Sequence, residues 1–95
     1  MVKYAVGWDK ERIVYLATTK RMAQDYAIQY LKKNKKADGE DVYSIHIYKE
    51  EKDRYLGPSY VYIGTVSRTS RPVEYYYIDE KNMTHLSPSR VNRKQ

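Results

Sequence analysis

No cysteine occurs among the 95 residues. The chain therefore has no disulfide frame, no thiol nucleophile and no thiolate ligand for zinc. Phenylalanine is absent as well. Glycine is scarce, and Gly7, Gly39, Gly57 and Gly64 are isolated from one another, so neither a G-x-G-x-x-G turn nor a P-loop can be written. No cofactor is expected. Histidine is limited to His46 and His85, and neither has a partner at a ligand-type spacing such as H-x-H or H-x-x-E, which argues against a metal centre. Long apolar runs are missing too: the longest is Ile13 to Ala17, far below the ~20 residues of a membrane span. The opening MVKYAVGWDK has no apolar stretch fit for a signal peptide. A soluble cytoplasmic protein with no membrane partner is expected.

What is present is tyrosine and positive charge. Twelve tyrosines and one tryptophan carry all the aromatic area. Tyrosine combines an apolar ring with a hydroxyl that needs a partner, so it favours half-buried and interfacial positions. The net charge is +6, but Arg90, Arg93 and Lys94 contribute half of it. A mildly basic body with a basic tail permits a polyanionic partner without requiring one. Length sets the organisation: a single α+β domain over 1–88, with one core, and a flexible basic tail over 89–95. So small a domain has little stability to spare, which makes a homodimer a natural expectation.

The stretch Thr18 to Lys36 has helical apolar spacing. Met22, Ala23, Tyr26, Ala27, Tyr30 and Leu31 fall on one stripe, and Lys32, Lys33, Lys35 and Lys36 sit where the helix dipole favours cations. Alternating or β-branched segments on either side predict strands at Lys3–Trp8, Ile13–Thr18, Val42–Lys49, Tyr60–Ser67 and Val73–Ile78, with Met83–Leu86 a candidate sixth. Glu50 to Arg54 reads as a charged connection, after which Gly57-Pro58 resets the backbone, and Gly64 marks a bulge. The order β-β-α-β-β-β(-β) predicts a mainly antiparallel sheet with one long helix on one face. The expected core under the helix is Val6, Ile13 or Val14, Ile45 and Ile63.

A single helix leaves the other sheet face uncovered. Tyr60 and Tyr62 are expected there, opposite Val61 and Ile63, with Val66 in the tyrosine row. Tyr48 faces the same way, and Tyr75 and Tyr77 extend the patch. With Lys32, Lys33, Lys35, Lys36, Arg68, Arg71, Arg90 and Arg93, these are the candidate binding residues. Rings interleaved with cations suit single-stranded nucleic acid, through stacking and phosphate contact. Tyr and Arg equally anchor protein–protein interfaces. The spacing of sheet-type RNA-recognition aromatics is not found in Tyr75-Tyr76-Tyr77. Catalysis has weaker support. Ser44 precedes His46 by two residues without a nucleophile elbow, and a His46–His85 acid–base pair acting on RNA requires the fold to bring the two together. The carboxylates Glu50, Glu51, Asp53, Asp79 and Glu80 read as solvated turn charges.

In its small size, its richness in Lys and Tyr, and its lack of cysteine and of any catalytic motif, the chain resembles the small orphan proteins of bacteriophages and other mobile elements. That resemblance implies a non-enzymatic inhibitor or modulator of a host protein of nucleic-acid metabolism or defence. The alternatives are direct binding of single-stranded RNA or DNA, and a small RNase-like enzyme.

Overall fold

Period-two alternation builds a sheet and one 3.6-residue apolar stripe builds a helix. The computed structural model describes residues 3–33 and 43–86. Its elements are β1 (Tyr4–Gly7), β2 (Ile13–Ala17), α1 (Lys20–Lys33), β3 (Ser44–Asp53), β4 (Gly57–Arg68), β5 (Tyr75–Ile78) and β6 (Met83–Leu86). All neighbours are antiparallel, in the order β2-β1-β3-β4-β5-β6. The α+β class and the element order are those the sequence predicts, and Met83–Leu86 does form a sixth strand. No described helix is long and apolar enough to cross a membrane. The expected tail, 89–95, lies outside the described residues.

Helix α1 starts where Thr19 caps it: the Thr19 hydroxyl accepts the Met22 N–H at 3.1 Å and the Thr19 carbonyl accepts the Ala23 N–H at 3.1 Å. Ala23, Ala27, Ile28 and Leu31 are buried against Val6, Ala17, Ile45, Ile47 and Val66. The two alanines let the helix axis come close to the sheet. Tyr26 and Tyr30 flank the stripe: Tyr26 stacks on Tyr15 with centroids 4.0 Å apart, and Tyr30 meets Trp8 edge-on at 5.7 Å. Two residues depart from the expected stripe. Met22 is exposed, with its sulfur accepting the Thr18 hydroxyl at 3.5 Å, and Ile28 is buried instead.

The turn between β1 and β2 is tied by Asp9, whose carboxylate accepts the Glu11 and Arg12 N–H groups at 2.9 Å and Arg12 Nε at 2.8 Å. The Arg12 guanidinium, then the Glu11 amide, hold that carboxyl below its ordinary pKa. A bulge follows, with Val6 opposite Tyr15 but Gly7 opposite Ile13. The extra residue, Val14, shifts the strand's parity. Ile13 is thereby laid over Gly7, whose missing Cβ would stand 3.0 Å from Ile13 Cδ1. Contrary to the expectation, neither Ile13 nor Val14 belongs to the core beneath the helix; Tyr15 and Ala17 take that place.

A second bulge corrects the reading of β4. Ile47 pairs with Gly64 and Tyr48 with Tyr62, leaving Ile63 as the extra residue. Parity changes there, so Val66 turns into the core although Tyr60 and Tyr62 turn out. Before the bulge, β3 and β4 run on as a ribbon: Glu50–Asp53 pair with Gly57–Tyr60, and Arg54–Leu56 close the end before Gly57 at φ +81°. The charged segment is therefore strand rather than connection. A two-stranded ribbon wet on both faces shows no apolar alternation by which to find it.

Candidate functional site

The face of the sheet turned away from α1 is left uncovered by the helix. Register places three rows across it. Leu16, Ala5, Tyr48 and Tyr62 form the first, Ile13, Gly7, His46, Thr65, Ile78 and Met83 the second, and Ser44, Ser67, Tyr76 and His85 the third.

Its centre is a hydrogen-bonded aromatic group. The Thr65 hydroxyl lies 2.8 Å from His46 Nδ1 and 2.6 Å from the Tyr62 hydroxyl. The His46, Tyr48 and Tyr62 rings meet edge-on, with centroids 5.6–6.4 Å apart. Tyr48 is almost fully buried in this group. That burial raises its phenol pKa, helped by the Asp9 carboxylate and by Tyr62. Tyr62 is 51% exposed. At the far end, Tyr76 donates to Glu74 Oε1 at 2.6 Å and packs edge-on against His85 at 5.2 Å. The hydrogen bond to Glu74 raises the Tyr76 pKa. Leu16, Val14, Ile78 and Met83 add exposed aliphatic surface.

The expected binding residues scatter. Tyr62 and, further along the ribbon, the half-buried Tyr60 sit on the open side. Tyr75 and Tyr77 do not: at 5% and 3% exposure they lie in the core beneath the helix. The physical reason is room and polarity. Gly64 has no side chain where Tyr77 lies, so the ring fits flat against the backbone, and the Tyr77 hydroxyl donates to the Ile63 carbonyl at 3.0 Å. Tyr76, the residue between them, faces out.

The cations stand elsewhere. Lys32 and Lys33 are exposed at the end of α1. Arg68 points to the helix side, its Nη1 3.5 Å from the Leu31 carbonyl and its guanidinium 4.9 Å from the Tyr43 ring centroid. Arg71 is exposed in a loop closed by Thr69, whose hydroxyl donates to the Pro72 carbonyl at 2.7 Å and accepts the Glu74 N–H at 3.0 Å. Lys35, Lys36, Arg90 and Arg93 lie outside the described residues. Among the described candidates, the exposed Tyr62 ring thus stands on the side of the sheet opposite Lys32, Lys33 and Arg68.

The two histidines are not brought together. They stand three strands apart, about 14 Å at the spacing of a sheet. His46 Nδ1 is engaged by Thr65 rather than by Ser44. Among the described residues no group of three or more His, Asp or Glu is placed to hold a metal ion.

Several site residues escaped the sequence. Tyr76, Thr65, His85, Leu16, Ile78 and Met83 become neighbours only through the register, which no local pattern gives. The ribbon end holds Tyr55 and Leu56 at 87% and 86% exposure. The signal there was an aromatic-aliphatic pair set between turn-forming residues. Compared with known protein families, curated proteins and solved structures, the chain matches none at a significant level.

Proposed function

We propose that this chain is a small non-enzymatic binding module that occupies a protein partner's surface with the open face of its sheet. The observation that carries the reading is the division of the molecule. Tyr62, His46, Tyr76, Leu16 and Ile78 gather on one side, whereas Lys32, Lys33 and Arg68 gather on the other. Single-stranded nucleic acid needs rings and cations on one surface. A protein interface instead needs an apolar and aromatic centre with few charges. Clustered exposed aliphatic and aromatic side chains also mark interaction sites on otherwise polar surfaces. In its finer form, suggested by general character alone, the module is a phage-type inhibitor or modulator of a protein of nucleic-acid metabolism or defence.

The test is capture of a partner from host lysate before and after nuclease treatment, repeated with variants. Capture should survive nuclease and about 0.5 M salt. Tyr62→Ala should weaken it by about 2 kcal/mol or more while the melting temperature holds, as for an interface anchor. Lys32→Ser with Lys33→Ser should leave it unchanged. Capture that disappears with nuclease, or that falls with salt at a log–log slope near −0.7 per phosphate, would assign the partner to nucleic acid.

A further inference from the structure

We propose that two copies of this chain pair edge to edge through β2, antiparallel about a two-fold axis near Tyr15 and Leu16, to form one continuous twelve-stranded sheet. The inference goes beyond the binding reading of the open face and does not depend on it.

An edge strand presents unpaired backbone N–H and C=O groups, and proteins usually blunt it with lysine, proline or inward-turned charge. The two edges of this sheet are treated differently. At β6 the strand is short and polar, Met83-Thr84-His85-Leu86, and the sequence continues Ser87-Pro88. At β2 the strand is Ile13-Val14-Tyr15-Leu16-Ala17, the longest apolar run in the chain, with no charge, proline or glycine. Its one irregularity, the bulge at Val14, faces β1 and leaves Tyr15–Ala17 regular. Val14 and Leu16 are 37% and 49% exposed on its open side. On the helix side the rim is the Tyr15–Tyr26 stack, with Met22 exposed one helical turn away.

Charge selects the occupant. In an antiparallel β2 pair, the turn before one strand lies beside the start of α1 in the other copy. The first turn of α1 carries Lys20 and Arg21 and no acidic residue, although a helix N-terminus favours negative charge. Glu11, exposed in the turn, would stand next to Arg21 of the second copy, whose side chain is 71% exposed with Asp25 3.9 Å away, whereas Lys20 is turned over the Tyr77 ring, 4.9 Å from its centroid. The match is reciprocal, as a two-fold interface requires. Closure follows as well: the bare edge is used on both copies and only the guarded β6 edges remain, so growth stops at two. A five-residue edge buries less than the ~800 Å² per partner of a standard interface, even with the helix rim added. The dimer is therefore expected at micromolar rather than nanomolar concentration.

Sedimentation of the purified full chain between about 1 and 500 µM gives the test, together with hydrogen exchange of the β2 amides. The mass should double across that range as exchange of the β2 amides slows. Leu16→Lys, or Val14→Lys if the first does not fold, should keep the chain monomeric with its melting temperature intact. Glu11→Lys should raise the dissociation constant roughly tenfold, and adding Arg21→Glu should recover part of the loss. Tyr62→Ala and Ile78→Lys should leave the dimer unchanged, which separates this pairing from any use of the open face. A chain that stays monomeric at about 500 µM overturns the proposal. So does a dimer that survives Leu16→Lys, or one that Tyr62→Ala dissolves.

Discussion

Gly64 and Tyr77 form a pair in which one residue is defined by what it lacks. A Cβ at position 64 would collide with the Tyr77 ring, and the only relief is to move a core side chain whose hydroxyl is bound to the Ile63 carbonyl. Gly64→Ala should therefore destabilise the fold by about 1–3 kcal/mol, the usual cost of overpacking. Chemical denaturation measures it, and combining Gly64→Ala with Tyr77→Leu should cost less than the two separately. Tyr77 makes a second prediction. Burial, then the nearby Asp79 carboxylate, pushes its phenol from 10.0 up to about 12. An unfolded chain would release that proton near pH 10 while the folded chain retains it, so the unfolded state binds fewer protons in that window. Stability should thus be unaffected by this group below pH 10 and decline as pH rises from 10 towards 12. Melting temperature against pH should show the decline, and Tyr77→Phe should flatten it. Nothing local in Tyr75-Tyr76-Tyr77 reveals any of this. Three identical residues offer no contrast between inward and outward positions, so parity comes from the pairing of β5 with the β4 segment that follows the bulge.

At the scale of elements, the helix was the most legible part, because its period is written in one contiguous segment. The spacing of Ala23, Ala27 and Leu31 matches their full burial. Ile28 is buried too, but it sits at the border of the stripe, where docking angle rather than spacing decides. Leu31 is fully buried, so Leu31→Ala should cost about 2–5 kcal/mol in urea unfolding. A loss under about 0.5 kcal/mol would mean that α1 docks by another side. The strands were legible in number and order but not in facing. Two single-residue bulges, at Val14 and at Ile63, each reverse the alternation after them. A bulge leaves little mark in sequence, and the expectations of Ile13 or Val14 in the core and of Val66 outside it fail at these two positions, while Tyr75 and Tyr77 turn inward through their pairing with the β4 segment after the second bulge.

For the whole molecule, the division into a covered and an open side follows from having six strands and one helix, and that much the sequence did give away. Which side chains occupy the open side was half legible: Tyr62 and Tyr48 through simple alternation, Tyr76 and His85 only once the strands are in register. The β3–β4 ladder has a further consequence. It divides the sheet into β2-β1-β3 and β4-β5-β6, and those halves are also consecutive in the chain, joined only by Arg54-Tyr55-Leu56 at the exposed ribbon end. A single cut at the ribbon end would thus divide the chain into two halves held together by that ladder and by the packing of α1 on Val66, Tyr75 and Tyr77. Trypsin acting on the native chain should cut first after Arg54, and the nicked product should keep its fold through the ten residue pairs of that ladder. Native mass spectrometry should find the two fragments still together. Expressed apart, 1–54 and 55–95 should recombine when mixed, which would make the ribbon end the natural point at which to split this domain into a complementing reporter.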